Sequence, residues 1–268
     1  MGRIAIVSAM HEELRALLAT MPDEQPVRRA GREFWVGHLD GHEVVLALCG
    51  IGKVAAATTT TLLLAEFDVD RVIVTGTAGG LHPQARVGDV VVATALLQHD
   101  LDASPIFPRY EVPLYGTDRF ACDARLSEQV GMAATAVLGE SALADPGQGG
   151  DLGPELLAQF GIGAPRVRSG LVVSGDRFVA TASEGADLRR RLPQALAVEM
   201  EGAAVAQVCH DFGMRFAVVR TISDRADDEA TAHFARFVVE IASRYTLAIV
   251  RRYLRDSAQV DEAATFTQ

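Results

Sequence analysis

Four short segments carry side chains that could do chemistry near neutral pH. Met10-His11-Glu12-Glu13 places two adjacent carboxylates directly after a short apolar run. Gly76-Thr77-Ala78-Gly79-Gly80 follows a β-branched run, and its glycines leave backbone N–H donors open to a ligand. Val198-Glu199-Met200-Glu201-Gly202 sets two acids around a methionine. Two carboxylates beside a buried strand are costly unless ligand, water or donors satisfy them. Arg220-Thr221-Ile222-Ser223-Asp224 brings a cation, a hydroxyl and an acid together at a further strand end. Groups of this kind can give, take or hold protons. Each segment also has a plain structural reading: opposition to a helix macrodipole, an ordinary turn, a solvated helix start and an internal ion pair. The glycine segment is neither a P-loop, which ends G-K-[ST], nor a G-x-G-x-x-G fingerprint.

These segments need elements to position them. Ile4–Ser8 reads as a strand and Glu12–Ala19 as a helix with Leu14, Leu17 and Leu18 on one face. Glu33–Leu39 and Glu43–Cys49 flank Asp40-Gly41 and predict a hairpin. Further strands are expected at Arg71–Thr75, Val87–Leu97, Arg166–Val173, Leu196–Val198 and Phe216–Thr221. Further helices are expected at Lys53–Phe67, Asp123–Leu138, Met200–Phe212 and His233–Leu254. Thr181-Ala-Ser-Glu184 is a candidate capping box for a helix that carries Arg189-Arg190-Arg191. Asp100–Phe120, rich in proline and aromatics, reads as an ordered loop. Strand and helix alternate, which predicts an α/β domain with helices on both faces of a largely parallel sheet. In such sheets ligands bind beyond the carboxyl ends of the strands, where all four chemical segments fall. One domain is expected over 1–255, with a Gly/Pro-rich flexible insert at about 144–165 and a frayed tail over 256–268.

Composition removes several functional classes. The 268 residues are 49% hydrophobic, enough for a sizeable core without disulfide staples. The formal charge of −10 disfavours phosphate backbones and anionic lipid, and the Arg189–Arg191 triplet reads as a solvated helix face. Cys49, Cys122 and Cys209 are scattered and expected to be reduced, with no metal-ligand spacing around them. No apolar run approaches the roughly 18 residues of a membrane span. Ile4–Met10 is short and runs into His11-Glu12-Glu13, unlike a secretory leader, so a cytoplasmic site is expected.

The segments together resemble the family of purine nucleoside phosphorylases and methylthioadenosine/S-adenosylhomocysteine nucleosidases. The matching wording is IVSAMHEEL, CGIGKVAAA, VTGTAGG, VGDVVV, HDLDA, GLVVSGDRF, AVEMEGAAVAQVCH and VVRTISDRAD, and it is most similar to the nucleosidase branch. The resemblance implies a single-domain, three-layer α/β/α sandwich around a mixed, mostly parallel central sheet. It implies a homodimer and hydrolysis of the bond between adenine N9 and ribose C1′ in methionine and S-adenosylmethionine by-product salvage. It implies no cofactor and no metal.

That chemistry passes through an oxocarbenium-like sugar, so it needs a protonated leaving base, a deprotonated water and negative charge near the sugar. By the resemblance, Asp224 protonates adenine N7, oriented by Ser223. Glu13 activates water, Glu201 holds the ribose hydroxyls and supports the cationic sugar, and Arg220 keeps water and carboxylates in register. Phe178 would stack on adenine and Val179 would bond its edge through backbone. Thr77, Ala78 and Gly79 would line the base and ribose side, with Met200 on the ribose face and Glu199 beside it. Met10, Ile51 and Phe234 would line the 5′-alkylthio pocket, closed by Ala103, Ile106 and Pro113 of a partner subunit. His99, Asp100 and Asp102 lie near that loop and receive no role.

Alternatives differ in nucleophile, base or catalysis. Phosphorylases of the family place an arginine three residues before the Ser or Thr of the glycine segment, where this chain has Val74. Their early Gly–Arg phosphate loop is replaced by the acidic Met10–Glu13 segment, which favours water. A futalosine-type purine nucleoside would serve the same acid equally well. A non-catalytic nucleoside-binding protein would be expected to lack one of the three acids, and all three are present. The segment SPIFPRYEVPLYG departs from the usual nucleosidase wording where the 5′ pocket would close.

Overall fold

The computed structural model describes residues 2–139, 152–226 and 230–265, with side chains at all of these except 230–233 and 259–265. Residues 144–151 of the expected insert and 266–268 of the expected tail lie outside the described residues.

Period-two alternation builds the sheet. Along β1 (Arg3–Ser8), Ile4 and Ile6 enter one apolar cluster while Ala5 and Val7 enter another. The same split recurs in β4 (His42–Leu48), with Val44 and Leu46 on one side and Val45 and Ala47 on the other. A strand apolar on both faces requires helices on both, and it has them. One layer holds α1 (His11–Leu18), α3 (Ala124–Gly139) and α8 (Ser243–Thr265). The opposite layer holds α2 (Lys53–Glu66) and α6 (Gly202–Asp211).

The remaining strands are β2 (Gln25–Arg29), β3 (Arg32–Leu39), β5 (Val69–Val74), β6 (Thr77–Gly80), β7 (Val90–Gln98), β8 (Arg119–Ala121), β9 (Val167–Ser174), β10 (Ala195–Glu199) and β11 (Arg215–Asp224). Their order is β2-β3-β4-β1-β5-β11-β6-β10-β9-β7-β8, and β7 also pairs with β11. The sheet is mixed: β4, β1, β5, β11 and β6 run parallel in sequence, and antiparallel pairs lie at the edges, where β6 meets β10 and where β7 meets β11. The predicted hairpin forms, with Asp40 and Gly41 both at positive φ between β3 and β4. Two further helices are α4 (Pro154–Gln159) and α5 (Ala182–Arg191). Thr181 caps α5 by accepting from Glu184 N at 3.3 Å, as the capping box predicts.

Several elements differ from expectation, among them β8 inside the expected loop and α4 inside the expected insert. Thr77–Gly80 is a strand rather than a plain glycine turn, because β11 and β10 pair with it on its two sides. The edge strand β2 is polar and carries Pro26, so it lacks a strand signature, and β3 supplies its pairing. The last helical region begins at Ala230 as α7 (Ala230–Phe237) and passes through a π-helical turn at Val238–Ala242. It then continues as helix to Thr265, past Arg255 where the apolar period ends. No helix among the described residues is long and apolar enough to cross a membrane.

Phe34 on β3 is fully buried and lies 4.5 Å, ring to ring, from Phe67. Phe34→Ala is expected to lower unfolding stability by roughly 3–5 kcal/mol, from lost burial plus the cavity left behind. Denaturant unfolding measures this, and a loss below about 1 kcal/mol would mean that the site collapses around the smaller residue.

Candidate active site

Strand ends at one pole of the sheet supply the site. The turn after β1 leads into α1 and carries Glu13 in that helix's first turn. Thr75 and Gly76 link β5 to β6. Glu199 ends β10, and Met200 and Glu201 lead into α6. Arg220 to Asp224 end β11, and the chain beyond β9 carries Arg177, Phe178 and Val179.

Arg220 is 1% exposed and is the cation around which these ends assemble. Its Nη1 donates to the Thr75 carbonyl at 3.0 Å, and its Nη2 pairs with Glu199 Oε2. Glu201 Oε2 lies 3.6 Å from the same nitrogen. A side chain at Gly76 would place its Cβ 2.3 Å from Arg220 Nη1 and 2.9 Å from Glu13 Oε1, at a φ of +146°. Glycine is the residue that lets cation and carboxylate close over the backbone there.

Glu13 is 1% exposed and accepts on both oxygens. Oε1 takes Thr77 N at 3.0 Å and Thr77 Oγ1 at 3.3 Å, and Oε2 takes Ala9 N and Met10 N, each at 3.1 Å. Burial pushes its carboxyl above the usual range, against the opposing pull of Arg220 and of these backbone donors. The helix-start reading of this segment therefore holds in part, since the side chain does satisfy backbone at the start of α1. It also faces the cleft.

The two acids of the third segment divide their work. Glu199 accepts from Ser174 Oγ, from Glu201 N at 3.1 Å and from Gly202 N at 2.8 Å, besides Arg220. Glu201 accepts one backbone bond, from Gly52 N at 3.0 Å. Burial, then the neighbouring Glu199 charge, pushes the Glu201 carboxyl up to about 7.

The fourth segment depends on an irregularity. Ile222 pairs with Ala78 and Asp224 with Gly79, so Ser223 is an extra residue on the β11 side. This bulge turns two successive side chains toward one cleft, which a regular strand would send to opposite faces. Ser223 Oγ donates to Asp224 Oδ2 at 2.7 Å, and Asp224 Oδ1 accepts from Ala226 N at 2.8 Å. Glycine is again required opposite, since a Cβ on Gly79 would approach Asp224 Oδ1 to 2.9 Å.

A cleft opens over these groups. Glu13, Glu201, Arg220, Ser223 and Asp224 all line it, as do Met10, Ile51, Thr77, Ala78, Gly79, Phe178, Val179, Glu199, Met200 and Phe234. Phe178 and Phe234 meet edge to face with centroids 5.6 Å apart. Ala103, Ile106 and Pro113 are not in the cleft; they lie on the loop between β7 and β8, where Ile106 is 82% exposed. Ala9, Arg177 and Val198 line the cleft without having been anticipated. Also unanticipated is a polar brace at its rim. Lys53 Nζ donates to Asp100 Oδ1 at 2.6 Å, Asp176 N to Asp100 Oδ2 at 2.8 Å, and Lys53 N to Asp176 Oδ1 at 2.7 Å. Asp100 lacked a role in the sequence because the partners that define one lie far along the chain. Among the described residues no group of His, Cys, Asp and Glu could hold a metal ion.

Arg220→Met leaves Glu13, Glu199 and Glu201 without their buried cation, which is expected to cost roughly 3–5 kcal/mol. Glu13 and Glu201 have folded pKa values raised above 4.5, so the native state keeps protons that the unfolded chain has released. Their contribution is therefore present in full below about pH 4.5 and is lost as pH rises through about 7. The variant's deficit is expected to be larger at pH 8 than at pH 5.5 in paired denaturant titrations. A deficit independent of pH would contradict this electrostatic account.

Comparison with known proteins follows the same lines. The model of the phosphorylase superfamily matches residues 3–255. A curated relative, 5′-methylthioadenosine/S-adenosylhomocysteine nucleosidase of Bacillus thuringiensis subsp. konkukian, is 35% identical over 249 residues, covering 93% of this chain and 97% of the relative. The crystal structure of the nucleosidase of the same name from Neisseria meningitidis, in complex with methylthio-immucillin-A, superposes with a TM-score of 0.80 at 34% identity, covering 96% of this chain and all of that one. A futalosine hydrolase mutant of Helicobacter pylori superposes with a TM-score of 0.77 at 28% identity, covering 96% of this chain and 100% of that one. The chain belongs to the phosphorylase superfamily, and within it to the 5′-methylthioadenosine/S-adenosylhomocysteine nucleosidase family.

Proposed function

We propose that this protein hydrolyses the N-glycosidic bond of 5′-methylthioadenosine and S-adenosylhomocysteine, releasing adenine and the 5-thio-substituted ribose. The observation that carries the reading is the convergence of Glu13, Glu201 and Asp224, from three separate strand ends, on one cleft that also presents Phe178. Hydrolysis through an oxocarbenium-like sugar needs an acid at the leaving base, a base for water and negative charge near the sugar. Asp224 is the acid for adenine N7, and the Ser223 hydroxyl fixes its rotamer. Glu13 is the base: its raised pKa makes it a better proton acceptor near neutrality. Its contact to Thr77 Oγ1, at 3.3 Å the longest of the four, is the one a water would replace. Glu201, with a single backbone donor on its carboxylate, holds the ribose hydroxyls and supports the cationic sugar. Glu199, taken up by Ser174, Gly202 and Arg220, holds Arg220 rather than substrate.

Phe178 stacks on adenine, Val179 bonds its edge through backbone, and Thr77, Ala78, Gly79 and Met200 enclose base and ribose. Met10, Ile51 and Phe234 form the 5′ wall. A second copy of the chain closes that wall with Ala103, Ile106 and Pro113; the exposure of Ile106 supports this assembly. The reaction serves salvage of methionine and S-adenosylmethionine by-products in the cytoplasm, with no cofactor. Water as nucleophile is supported by charge: the basic groups lining the cleft, Arg220 and Arg177, are both paired with carboxylates. A futalosine-type nucleoside is the second reading, favoured by the similarity to the Helicobacter pylori hydrolase; initial rates on the two nucleosides separate them.

The test is adenine release from methylthioadenosine by the purified chain. Asp224→Asn is expected to lower turnover by about 10²–10⁴-fold while substrate still binds. A rate near that of the wild type would remove Asp224 from the mechanism. Glu13→Gln is expected to lose hydrolysis on the same scale, and full activity there would place water activation elsewhere.

A further inference from the structure

Asp176, Arg177 and Phe178 form a run of three exposed residues at the rim of the cleft. Both neighbours of Arg177 anchor it to the 5′ wall. Asp176 accepts from Lys53 N at 2.7 Å, two residues from Ile51, and Phe178 packs edge to face on Phe234. Arg177 itself lines the cleft, yet its side chain is 77% exposed. Its Nη2 pairs with Oε1 of Glu184 in the first turn of α5, whose other oxygen accepts from Thr181 Oγ1 at 3.0 Å. An exposed ion pair of this kind adds little stability. It does place a planar donor fork and a carboxylate side by side at the rim of the cleft, on the side of Ile51 and Phe234.

We propose that Arg177 and Glu184 form a subsite for an α-amino-acid zwitterion, the end group of the homocysteine tail in S-adenosylhomocysteine. The guanidinium binds the tail carboxylate and Glu184 binds the tail ammonium. Methylthioadenosine carries neither charge, so the subsite discriminates between the two substrates and leaves the reacting atoms untouched. This inference rests on the nucleosidase reading. It adds a polar component to a pocket otherwise walled by Met10, Ile51 and Phe234.

The test compares kcat/KM for S-adenosylhomocysteine, methylthioadenosine and an uncharged 5′-butylthioadenosine. In Arg177→Ala, the ratio of S-adenosylhomocysteine to methylthioadenosine is expected to fall about tenfold, mainly through KM, as for loss of one partly exposed charge-assisted contact. The ratio of butylthioadenosine to methylthioadenosine is expected to stay within about twofold, because tail length is unchanged and charge is absent. Glu184→Gln is expected to lower the first ratio in the same direction. Raising ionic strength is expected to weaken the wild-type preference, since the pair is exposed and screened. Equal losses for all three substrates would overturn the subsite and make Arg177 a general wall residue. An unchanged first ratio would overturn it as well. Absence of adenine release from every substrate by the wild-type chain would overturn the nucleosidase reading itself and the subsite with it.

Discussion

Beneath the cleft, one guanidinium faces three carboxylates away from water. Arg220 is 1% exposed, Glu199 is its direct partner, and Glu201 and Glu13 lie within its field. Removing such a cation from bulk water is expensive unless its partners are close and well placed. The partners come from different strand ends: Glu13 follows β1, Thr75 follows β5, and Glu199 and Glu201 sit where β10 becomes α6. The order β1-β5-β11 and the contacts of β11 with β6 and β7 are what bring those ends to Arg220. Gly76 has no side chain, and that absence is what lets the cation and Glu13 meet. The electrostatic core of the site and the topology of the sheet are therefore one constraint.

The same constraint explains the reactivity proposed for the acids. Glu13 and Glu201 are ionisable groups kept from water beside a single cation that three carboxylates share. Desolvation outweighs that shared charge, and both pKa values rise. A raised carboxyl is a poorer anion and a better base, which suits a group that takes a proton from water and a group that accepts hydroxyl bonds from a sugar. A further anion such as phosphate beside these acids would add to this negative charge, and Arg220, the cation among them, is already held by Glu199.

Much of the site was legible because its residues sit in local wording. Glu13, Glu201 and Asp224 each fall just beyond an apolar strand run, and strand ends are where α/β sheets bind ligands. What was illegible depended on pairing partners remote in sequence. Thr77–Gly80 has weak strand propensity, and its strand character comes from β10 and β11. Gln25–Arg29 looks like a polar loop until β3 pairs with it. The bulge at Ser223, which turns Ser223 and Asp224 into the same cleft, has no signature in the amino-acid types. Lys53, Asp100 and Asp176 lie in three separate stretches and gain a role only when the fold unites them. The final helix outlasts its apolar period because helix continues without needing a buried face at every turn.

Water, activated within this carboxylate-rich pocket, is the nucleophile proposed to attack the sugar. The most direct measurement is the product of methylthioadenosine cleavage with and without millimolar phosphate, with adenine quantified and the sugar identified by mass and phosphorus resonance. The same adenine release is expected in both buffers, with free methylthioribose as the sugar product. Release that requires phosphate and yields the sugar 1-phosphate would contradict it.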